Sequence, residues 1–308
     1  MKEKKQKVRE TIDTEEVKGV SLWADAFKRL MKNKLAVLGG IIVILFVLVA
    51  IFSDVIIMAV CHHPQEYIDF DNPNPFAKPS KEHLFGTDLQ GRDLFARVVY
   101  GSRISLSIGF VTALVALVLG VTYGAIAGFA PTKVDEAMMR FVDILYGIPY
   151  MFFVILLMVA FGRDFYMLFI GIGVVSWMTI ARITRGQILT LRNNEYIEAA
   201  KSIGVSKARL IFRHLIPNAI GPIIVYLTLT IPSIMLQEAF LSFLGLGVQA
   251  PMTSWGALAS EGGNLGAIQT YPHLILFPGI ALALTLFAMN AFGEGLRDAL
   301  DPSMKNRI

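Results

Sequence analysis

Long uncharged stretches alternate with shorter polar ones along the chain. Six long, predominantly apolar windows contain no Asp, Glu, Lys or Arg: Leu35–Ser53, Ile104–Thr132, Ile144–Gly162, Phe165–Ala181, Leu215–Gln237 and Leu274–Gly293. A helix needs about 20 apolar residues to cross a hydrocarbon core ~30 Å thick. Each window is close to this length, and the shortest, Phe165–Ala181, has 17 residues. The pattern predicts an all-α polytopic membrane protein with six transmembrane helices.

The distribution of charge sets the predicted orientation. Hydrophobic residues make up 55% of the 308 positions and charged residues 17%, whereas about a quarter of a soluble domain is charged. Of the 28 Lys and Arg residues, 22 fall in the segments 1–34, 130–140, 182–216 and 294–308. Because basic loops tend to stay in the cytoplasm, both termini are predicted to be cytoplasmic. This asymmetry accounts for the basic charge, so no nucleic-acid partner is expected.

The topology divides the chain into successive segments. These are a cytoplasmic N-terminal segment (1–34), the first transmembrane helix (35–60), an external loop (61–103), a transmembrane core with the other five helices (104–293) and a cytoplasmic tail (294–308). In the first segment, Trp23, Phe27 and Leu30 recur on one face of a basic helix. This arrangement predicts an amphipathic helix lying among the lipid headgroups.

Charged residues cluster where the external loop meets the second window. Arg92, Asp93, Arg97 and Arg103 are predicted to lie at the outer interface. Asp93 and Arg97 are one helical turn apart, so they are expected to pair. Two alternatives follow for the cluster. It caps the second helix and holds it at the headgroups, or it forms part of an external docking surface.

No catalytic or metal-binding motif occurs in the sequence. Cys61, His62 and His63 are adjacent, so their side chains diverge, and no partner at metal-ligand spacing accompanies them. The patterns GxxxxGK[ST], HExxH and GxSxG are also missing. We therefore expect neither a metal site nor a reaction catalysed by this chain.

Gln237 and Glu238 interrupt the outer third of the fifth apolar stretch. An ionisable group inside a span is costly in lipid, so it should face water or a partner. One alternative is that these residues line a path through the membrane. The other is that Glu238 sits at the outer boundary and bonds to the ends of neighbouring helices.

A polar segment, EYIEAAKSIGVSKARLIFRHLIPN (195–218), separates the fourth and fifth windows. Asn194 is placed to cap a first short helix, in which Glu198 can pair with Lys201. The apolar face of this helix comprises Ile197, Ala200 and Ile203. Gly204 then ends the helix, because glycine readily adopts a positive φ at a helix C-terminus.

A second short helix follows the glycine. Arg209 and Arg213 would form its basic face, and Pro217 suits the start of the next helix. Ala199 and Ala200 would let another surface approach the backbone closely. Isolated helices of this length are marginal in water, so we expect a soluble partner to cover them. The alternative is a loop that lies on the membrane surface.

These residues resemble the EAA signature of ABC-importer permeases. The signature is matched in spacing by Glu198-Ala199-Ala200, Gly204 and Ile216-Pro217. His214 and Ile216 replace the usual isoleucine and leucine, but HLIPN resembles the peptide and nickel subfamily. The stretches HLFGTDLQGRDLFARVVYGSRISLSIG, FLSFLGLG, SWGAL and GEGLRDALDP resemble its C-type subunits. SLWADAFKRLMKN looks closer to oligopeptide members than to dipeptide or nickel members.

The resemblance implies a type I ABC-importer permease fold in a bacterial cytoplasmic (inner) membrane. It also implies a second permease subunit, two ABC ATPase subunits and an extracellular or periplasmic peptide-binding protein. ATP and Mg would be bound by the ATPases, and this chain would bind no cofactor. The residues implied in ATPase coupling are Glu198, Ala199, Ala200, Gly204, Arg209, Arg213 and Pro217.

Other classes make different demands on the sequence. An ion-gradient-driven secondary transporter should carry ionisable residues or broken helices near the bilayer midplane, and the midplane portions of the windows contain no carboxylate. An intramembrane hydrolase needs a nucleophile and a base at membrane depth, where His273 is the single span-edge candidate. Within the ABC class, a dipeptide or nickel permease is the alternative to an oligopeptide permease.

Overall fold

The computed structural model describes residues 22–61, 74–162, 165–263 and 265–300, which are helical apart from turns and connecting loops. The helices are α1 (Leu22–Lys32), α2 (Lys34–Ile51), α3 (Ser53–Val60), α4 (Leu94–Phe129), α5 (Thr132–Tyr146), α6 (Tyr150–Phe161), α7 (Phe165–Leu191), α8 (Glu195–Ser202), α9 (Lys207–Arg209), α10 (Ile216–Phe243), α11 (Trp255–Glu261), α12 (Leu265–Thr270) and α13 (His273–Leu300). A π-helical turn, Leu210–Leu215, joins α9 to α10. Residues 1–21 and 301–308 of the predicted cytoplasmic segments lie outside the described residues, as does the side chain of Trp23.

Five helical segments in this part of the chain are long and apolar enough to cross a membrane. They are α2, α4, α7, the segment Lys207–Phe243 that includes α10, and α13. Helices α5 and α6 pass the same test together, as a pair bent by 79°. Counted as one span, this pair brings the total to six and confirms the predicted fold class.

The bend divides the third apolar window. Pro149 precedes α6, and its ring prevents a straight continuation of α5. Helix α6 has 12 residues, so it is about 18 Å long and cannot cross the hydrocarbon core alone. The third crossing therefore needs the end of α5 as well.

The fourth span is longer than its charge-free window. Helix α7 continues past Ala181 through Arg182 and Arg185, because both arginines meet carboxylates of α5. Arg182 Nη2 lies 2.7 Å from Asp143 Oδ1. Arg185 donates two hydrogen bonds to Asp135, from Nε at 2.5 Å and from Nη2 at 2.7 Å. These ion pairs attach α5 to the C-terminal half of α7.

Helices α4 and α7 form the most extensive helix–helix contact of the described chain. Gly120, Gly124 and Gly128 recur every fourth residue on the α4 face that meets α7. A Cβ atom at Gly120 would lie 2.7 Å from the carbonyl oxygen of Trp177, and one at Gly124 would collide with the carbonyl oxygen of Ala181. Small residues at this spacing let two backbones approach closely in a membrane.

The first span packs on the last. Gly39 of α2 approaches α13 so closely that a Cβ atom there would lie 2.5 Å from the carbonyl oxygen of Ala288. Helix α1 continues along α13, where Leu30 meets Gly295 while Phe27 is exposed. An amphipathic α1 therefore uses one side to pack on the protein.

The exposed sides of α2, beyond Lys34 at its start, and of α6 are apolar. Exposed side chains on α2 include Ile41, Ile44, Leu45 and Leu48, and those on α6 include Phe152, Leu156 and Val159. Such surfaces are stable against hydrocarbon and unfavourable in water. These sides of α2 and α6 are therefore assigned to lipid.

Gly124→Ala should destabilise the protein, because the new methyl group has no space against the backbone of α7. Overpacking of this kind costs about 1–3 kcal/mol, or roughly 2–4 °C in the unfolding midpoint for each kcal/mol. The measurement is thermal unfolding of the purified protein in detergent. Gly186→Ala is the matched control, since no atom lies within 4 Å of a Cβ placed there. Equal midpoints for the two variants would contradict the close-packing explanation.

Candidate functional site

The polar segment between α7 and α10 folds into a helical hairpin with a glycine at its turn. Gly204 has φ of +81°, as the sequence predicted. Its N–H donates to the carbonyl of Lys201 at 3.0 Å, and the N–H of Val205 donates to the carbonyl of Ala200 at 3.1 Å. This pair of bonds is a Schellman motif, which satisfies carbonyl groups at the end of α8.

Asn194 is the N-cap residue of α8, as predicted, but its side chain makes no capping hydrogen bond. The same holds for Ser206, the N-cap residue of α9. An ion pair between Glu198 and Lys201 is not among those of the described residues. The ammonium of Lys201 lies instead 5.6 Å from the ring centroid of Phe129.

One side of the hairpin is anchored in the core. Ile197, Ile211 and Leu215 are buried in a single cluster with residues from three spans. Their neighbours in this cluster are Val121 and Ala125 of α4, Ile180 and Ile188 of α7, and Ala219 and Ile223 of α10. Any displacement of the hairpin is therefore transmitted to these three spans by direct packing.

The other side is open to solvent and predominantly polar. Glu198, Ala199, Gly204, Arg209 and Arg213 are exposed. The predicted positions of two apolar residues need correction. Ala200 is buried on the inner face and does not offer its surface to a partner, whereas Ile203, expected on the apolar face, is 81% exposed. Ile203 falls at the C-cap, where the chain turns away from the core.

Pro217 lies in the first turn of α10, as predicted. It has no N–H to donate to an earlier carbonyl, so regular α-helical bonding cannot pass through it. The preceding residues wind as the π-helical turn, and the chain continues without a break from α9 into α10.

Glu238 lies at the outer end of α10 and is 1% exposed. Its Oε1 accepts hydrogen bonds from Ser242 Oγ at 2.8 Å and from Ser254 Oγ at 2.6 Å. Ser254 caps α11 by accepting from the N–H of Ala257 at 3.0 Å. Of the two alternatives for Glu238, this geometry agrees with bonding to the end of a neighbouring helix. It does not give Glu238 an open surface on a path.

Gln237 is half-buried next to it on α10. Its Oε1 is sheltered and accepts no hydrogen bond from the described residues. Neighbouring positions on the same helix therefore differ: Glu238 is satisfied inside the subunit, and Gln237 is not.

Helix α11 is fixed by Trp255, a residue that sequence reasoning did not identify. Trp255 is fully buried, its Nε1–H donates to the carbonyl of Val98 at 2.9 Å, and its backbone N–H donates to Ser105 Oγ at 2.9 Å. The residue lies in the SWGAL stretch, so a tryptophan just after a capping serine was the available signal. These bonds hold α11 against the outer half of α4.

Charged side chains at the outer end form a buried network. Arg97 Nη1 lies 2.5 Å from Asp88 Oδ2 and 2.6 Å from Glu261 Oε2, and Arg97 Nη2 lies 2.9 Å from Glu261 Oε1. Arg92 Nε donates to the same Asp88 oxygen at 2.6 Å. The network joins the external loop, α4 and α11. Arg92 and Arg97 are buried, which favours the holding role over the docking role.

The predicted pair of Asp93 with Arg97 is wrong. Asp93 caps α4 by accepting from the N–H of Ala96 at 2.9 Å, and its other oxygen lies 2.9 Å from His83 Nδ1. Because the Asp93 carboxylate caps the N-terminus of α4, it does not form the i, i+4 ion pair with Arg97. Glu261 takes its place from a distant part of the sequence.

Metal-ligand clusters of three or more His, Cys, Asp or Glu do not occur within the described ranges. Cys61 Sγ lies 4.0 Å from Asp93 Oδ1. His62 and His63 lie outside the described residues.

Solved structures share the architecture of this chain. A chain of the MetNI methionine ABC transporter, solved in inward-facing conformations, aligns with a TM-score of 0.55 at 18% sequence identity. The alignment covers 66% of this chain and 96% of that chain. A second crystal form of the same transporter aligns with a TM-score of 0.52. The fold is that of a type I ABC-importer permease.

Sequence comparison is more specific. Residues 120–306 match the family model "Binding-protein-dependent transport system inner membrane component", and residues 21–79 match "N-terminal TM domain of oligopeptide transport permease C". The chain belongs to the family of binding-protein-dependent transport system inner membrane components.

Individual relatives match over nearly their full length. The oligopeptide transport system permease protein OppC of Bacillus subtilis is 44% identical, covering 94% of this chain and 92% of that protein. OppC of Escherichia coli is 46% identical over 93% of each chain. The dipeptide transport system permease protein DppC of Bacillus subtilis is 41% identical, covering 93% of this chain and 87% of that protein.

Glu238→Leu should destabilise the outer end of the subunit, because the hydroxyls of Ser242 and Ser254 lose their shared acceptor. A buried donor left without a partner costs about 1–3 kcal/mol. Glu238→Gln is the control, since its amide oxygen can still accept from both serines. The measurement is the midpoint of thermal unfolding in detergent. A Leu variant as stable as the Gln variant would show that these hydrogen bonds do not hold α10 to α11.

Proposed function

We propose that this chain forms one half of the translocation pathway for oligopeptides in an ABC importer and couples ATP hydrolysis to uptake. The observation that carries the proposal is the hairpin at Gly204, which is locked to three spans on one side and exposed on the other. The substrate class rests on relatives named as oligopeptide permeases, at 44–46% identity.

The proposed coupling site is the exposed side of the hairpin, with its supporting turn. Glu198 and Ala199 offer a polar and a small surface to an ATPase subunit, and Arg209 and Arg213 add positive charge. Gly204 sets the angle between the two short helices, and Ala200 supports that angle from the inner face. Pro217 starts the helix that carries the movement into the membrane.

The proposed assembly follows from the family. A second permease subunit completes the pathway, two ABC ATPase subunits bind the cytoplasmic hairpins, and an extracellular or periplasmic binding protein delivers the peptide. ATP and Mg are bound by the ATPases, so this chain is not itself an enzyme. Lipids surround the apolar sides of α2 and α6.

The complex is placed in this proposal in the bacterial cytoplasmic membrane, with both termini of this chain in the cytoplasm. The bias of 22 basic residues out of 28 supports this orientation. The hairpin then lies on the side where ATP is available.

A dipeptide substrate is the second candidate, because dipeptide permeases match at 41% identity over 93% of this chain. Uptake assays with peptides of two to about six residues, performed with the complete complex, distinguish a dipeptide permease from an oligopeptide permease.

An ion-gradient-driven transporter is disfavoured. Glu238, the carboxylate within α10, accepts hydrogen bonds from two serines and is therefore not free to bind a transported ion. Transport by the purified chain without its ATPases would overturn the ABC proposal.

Gly204→Val should uncouple ATP hydrolysis from transport or weaken ATPase binding. A β-branched residue at positive φ costs about 1–2 kcal/mol or forces another bend. Gly204→Asn is the matched control, because asparagine tolerates this φ and no atom lies within 4 Å of a Cβ there. The measurements are ATPase co-purification and peptide-stimulated ATP hydrolysis in reconstituted vesicles. A Val variant that assembles and couples like wild type would remove the hairpin from the coupling mechanism.

Ser206→Cys, in a Cys61→Ser background, should react with a membrane-impermeant maleimide only when the reagent reaches the cytoplasmic side. Ser206 is exposed, so the thiol is accessible once the membrane is opened. Labelling in intact cells is compared with labelling in inside-out vesicles. Reaction in intact cells would reverse the proposed orientation.

A further inference from the structure

The outward side of α10 carries a stripe of uncharged polar side chains. We define the polar stripe as Tyr226, Thr230, Ser233 and Gln237. The spacing i, i+4, i+7, i+11 puts all of them on one side of the helix, over about 16 Å of its length. Tyr226 is 45% exposed, Ser233 is exposed, and Thr230 and Gln237 are half-buried.

This composition differs from that of the sides assigned to lipid. The exposed positions of α2 and α6 named above carry only aliphatic and aromatic side chains. Transferring an unpaired hydroxyl or amide from water to hydrocarbon is unfavourable. The polar stripe is therefore less suited to lipid than the apolar sides of α2 and α6, and better suited to water or a polar ligand.

Internal hydrogen bonds satisfy part of the stripe. Thr230 Oγ1 donates to the carbonyl of Tyr226 at 2.7 Å, and Ser233 Oγ donates to the carbonyl of Leu229 at 3.4 Å. Such bonds are common for hydroxyls in membrane helices and indicate no ligand by themselves. The Gln237 amide differs, because its sheltered Oε1 accepts from no described residue. A sheltered polar atom of this kind calls for a further partner, such as water or another molecule.

The stripe also contains no charge. Residues 214–237 include no Asp, Glu, Lys or Arg, and the next carboxylate, Glu238, is turned inward to Ser242 and Ser254. Hydroxyl and amide groups both donate and accept hydrogen bonds. They match the N–H and C=O groups that every peptide backbone carries, whatever its side chains.

We propose that the polar stripe lines the water-filled pathway and hydrogen-bonds the backbone of the passing peptide, which leaves this wall indifferent to peptide charge. The inference rests on the proposed function and extends it, since it assigns the side of α10 that meets the substrate. Of the two predicted path residues it keeps Gln237 and removes Glu238, and it adds Tyr226, Thr230 and Ser233.

The decisive test adds a charge to the stripe. Gln237→Glu and Gln237→Lys are compared with wild type for uptake of a Lys-rich and a Glu-rich peptide of equal length, below saturation. Two unit charges about 4 Å apart in water interact by about 1 kcal/mol, which is roughly fivefold in rate or affinity. We expect the cationic-to-anionic uptake ratio to shift by about fivefold or more, upward for Glu and downward for Lys.

Controls separate charge from packing. Gln237→Leu removes the amide without adding charge, so it should slow both peptides and leave their ratio unchanged. Leu236→Gln places a polar group on the adjacent, lipid-like side and should also leave the ratio unchanged. Opposite shifts in the two charged variants have no explanation in a purely structural role.

Thiol accessibility provides a second readout if the charged variants do not assemble. In a Cys61→Ser background, Ser233→Cys should react with a hydrophilic maleimide in the assembled complex, and Leu48→Cys on the lipid side of α2 should not. An unreactive Ser233→Cys means that the stripe packs against the second permease or lipid, which overturns the inference. Uptake ratios that stay at the wild-type value in both charged variants also overturn it.

Failure of the proposed function gives a different result. If the wild-type complex shows no ATP-dependent peptide uptake, the substrate assignment fails before any variant is compared. If wild type imports peptide and the stripe variants do not alter charge preference, only the inference about α10 fails.

Discussion

The close approach of α4 and α7 is the contact on which the other elements depend. Gly120, Gly124 and Gly128 allow the backbones to touch, and no larger residue fits there without moving one helix. Helix α7 in turn holds α5 through Asp135 and Asp143, so the bent third crossing is positioned by the fourth. The C-terminal halves of α4 and α7 also form the surface into which the hairpin places Ile197 and Leu215. In a bilayer, hydrophobic burial does not drive helix association, so shape at such contacts has the larger role.

Charged side chains are buried and paired at one end of the molecule and exposed at the other. At the outer end, Arg97 is buried between Asp88 and Glu261, and removing one partner from such a network is far costlier than losing a surface pair. At the end that carries the hairpin, Glu198, Arg209 and Arg213 remain exposed. Their charge contributes little to the subunit alone and is available to another protein. The end with the Asp88–Arg97–Glu261 network is thus held together internally, and the end with the hairpin presents charge for contact with another protein.

Local signals made much of this predictable from sequence. Apolar windows identified the spans, because a bilayer demands length and hydrophobicity from each segment separately. Gly204 was also predicted correctly, since a glycine after a short helix is a local C-terminal signal. What failed depends on contacts between distant residues. Asp93 was expected to pair with Arg97, yet Glu261 does so from 164 positions away. The exposure of Ile203 and the choice between the two alternatives for Glu238 likewise depend on tertiary contacts that no local pattern specifies.

One continuous helical segment, Lys207–Phe243, connects the proposed sites. It begins at the hairpin, passes through the π-helical turn, carries the polar stripe and ends beside Glu238, which bonds to the cap of α11. A helix transmits displacement along its axis far better than a chain of loops does, because its hydrogen bonds keep its length fixed. In the proposed mechanism, movement of the hairpin by an ATPase would therefore shift the polar stripe together with Glu238 and its bond to the cap of α11. This helical segment can bend at three places, because each interrupts regular α-helical hydrogen bonding. They are the π-helical turn, Pro222 and Pro232. Coupling and peptide passage would then be two consequences of how a single helix is held at both ends.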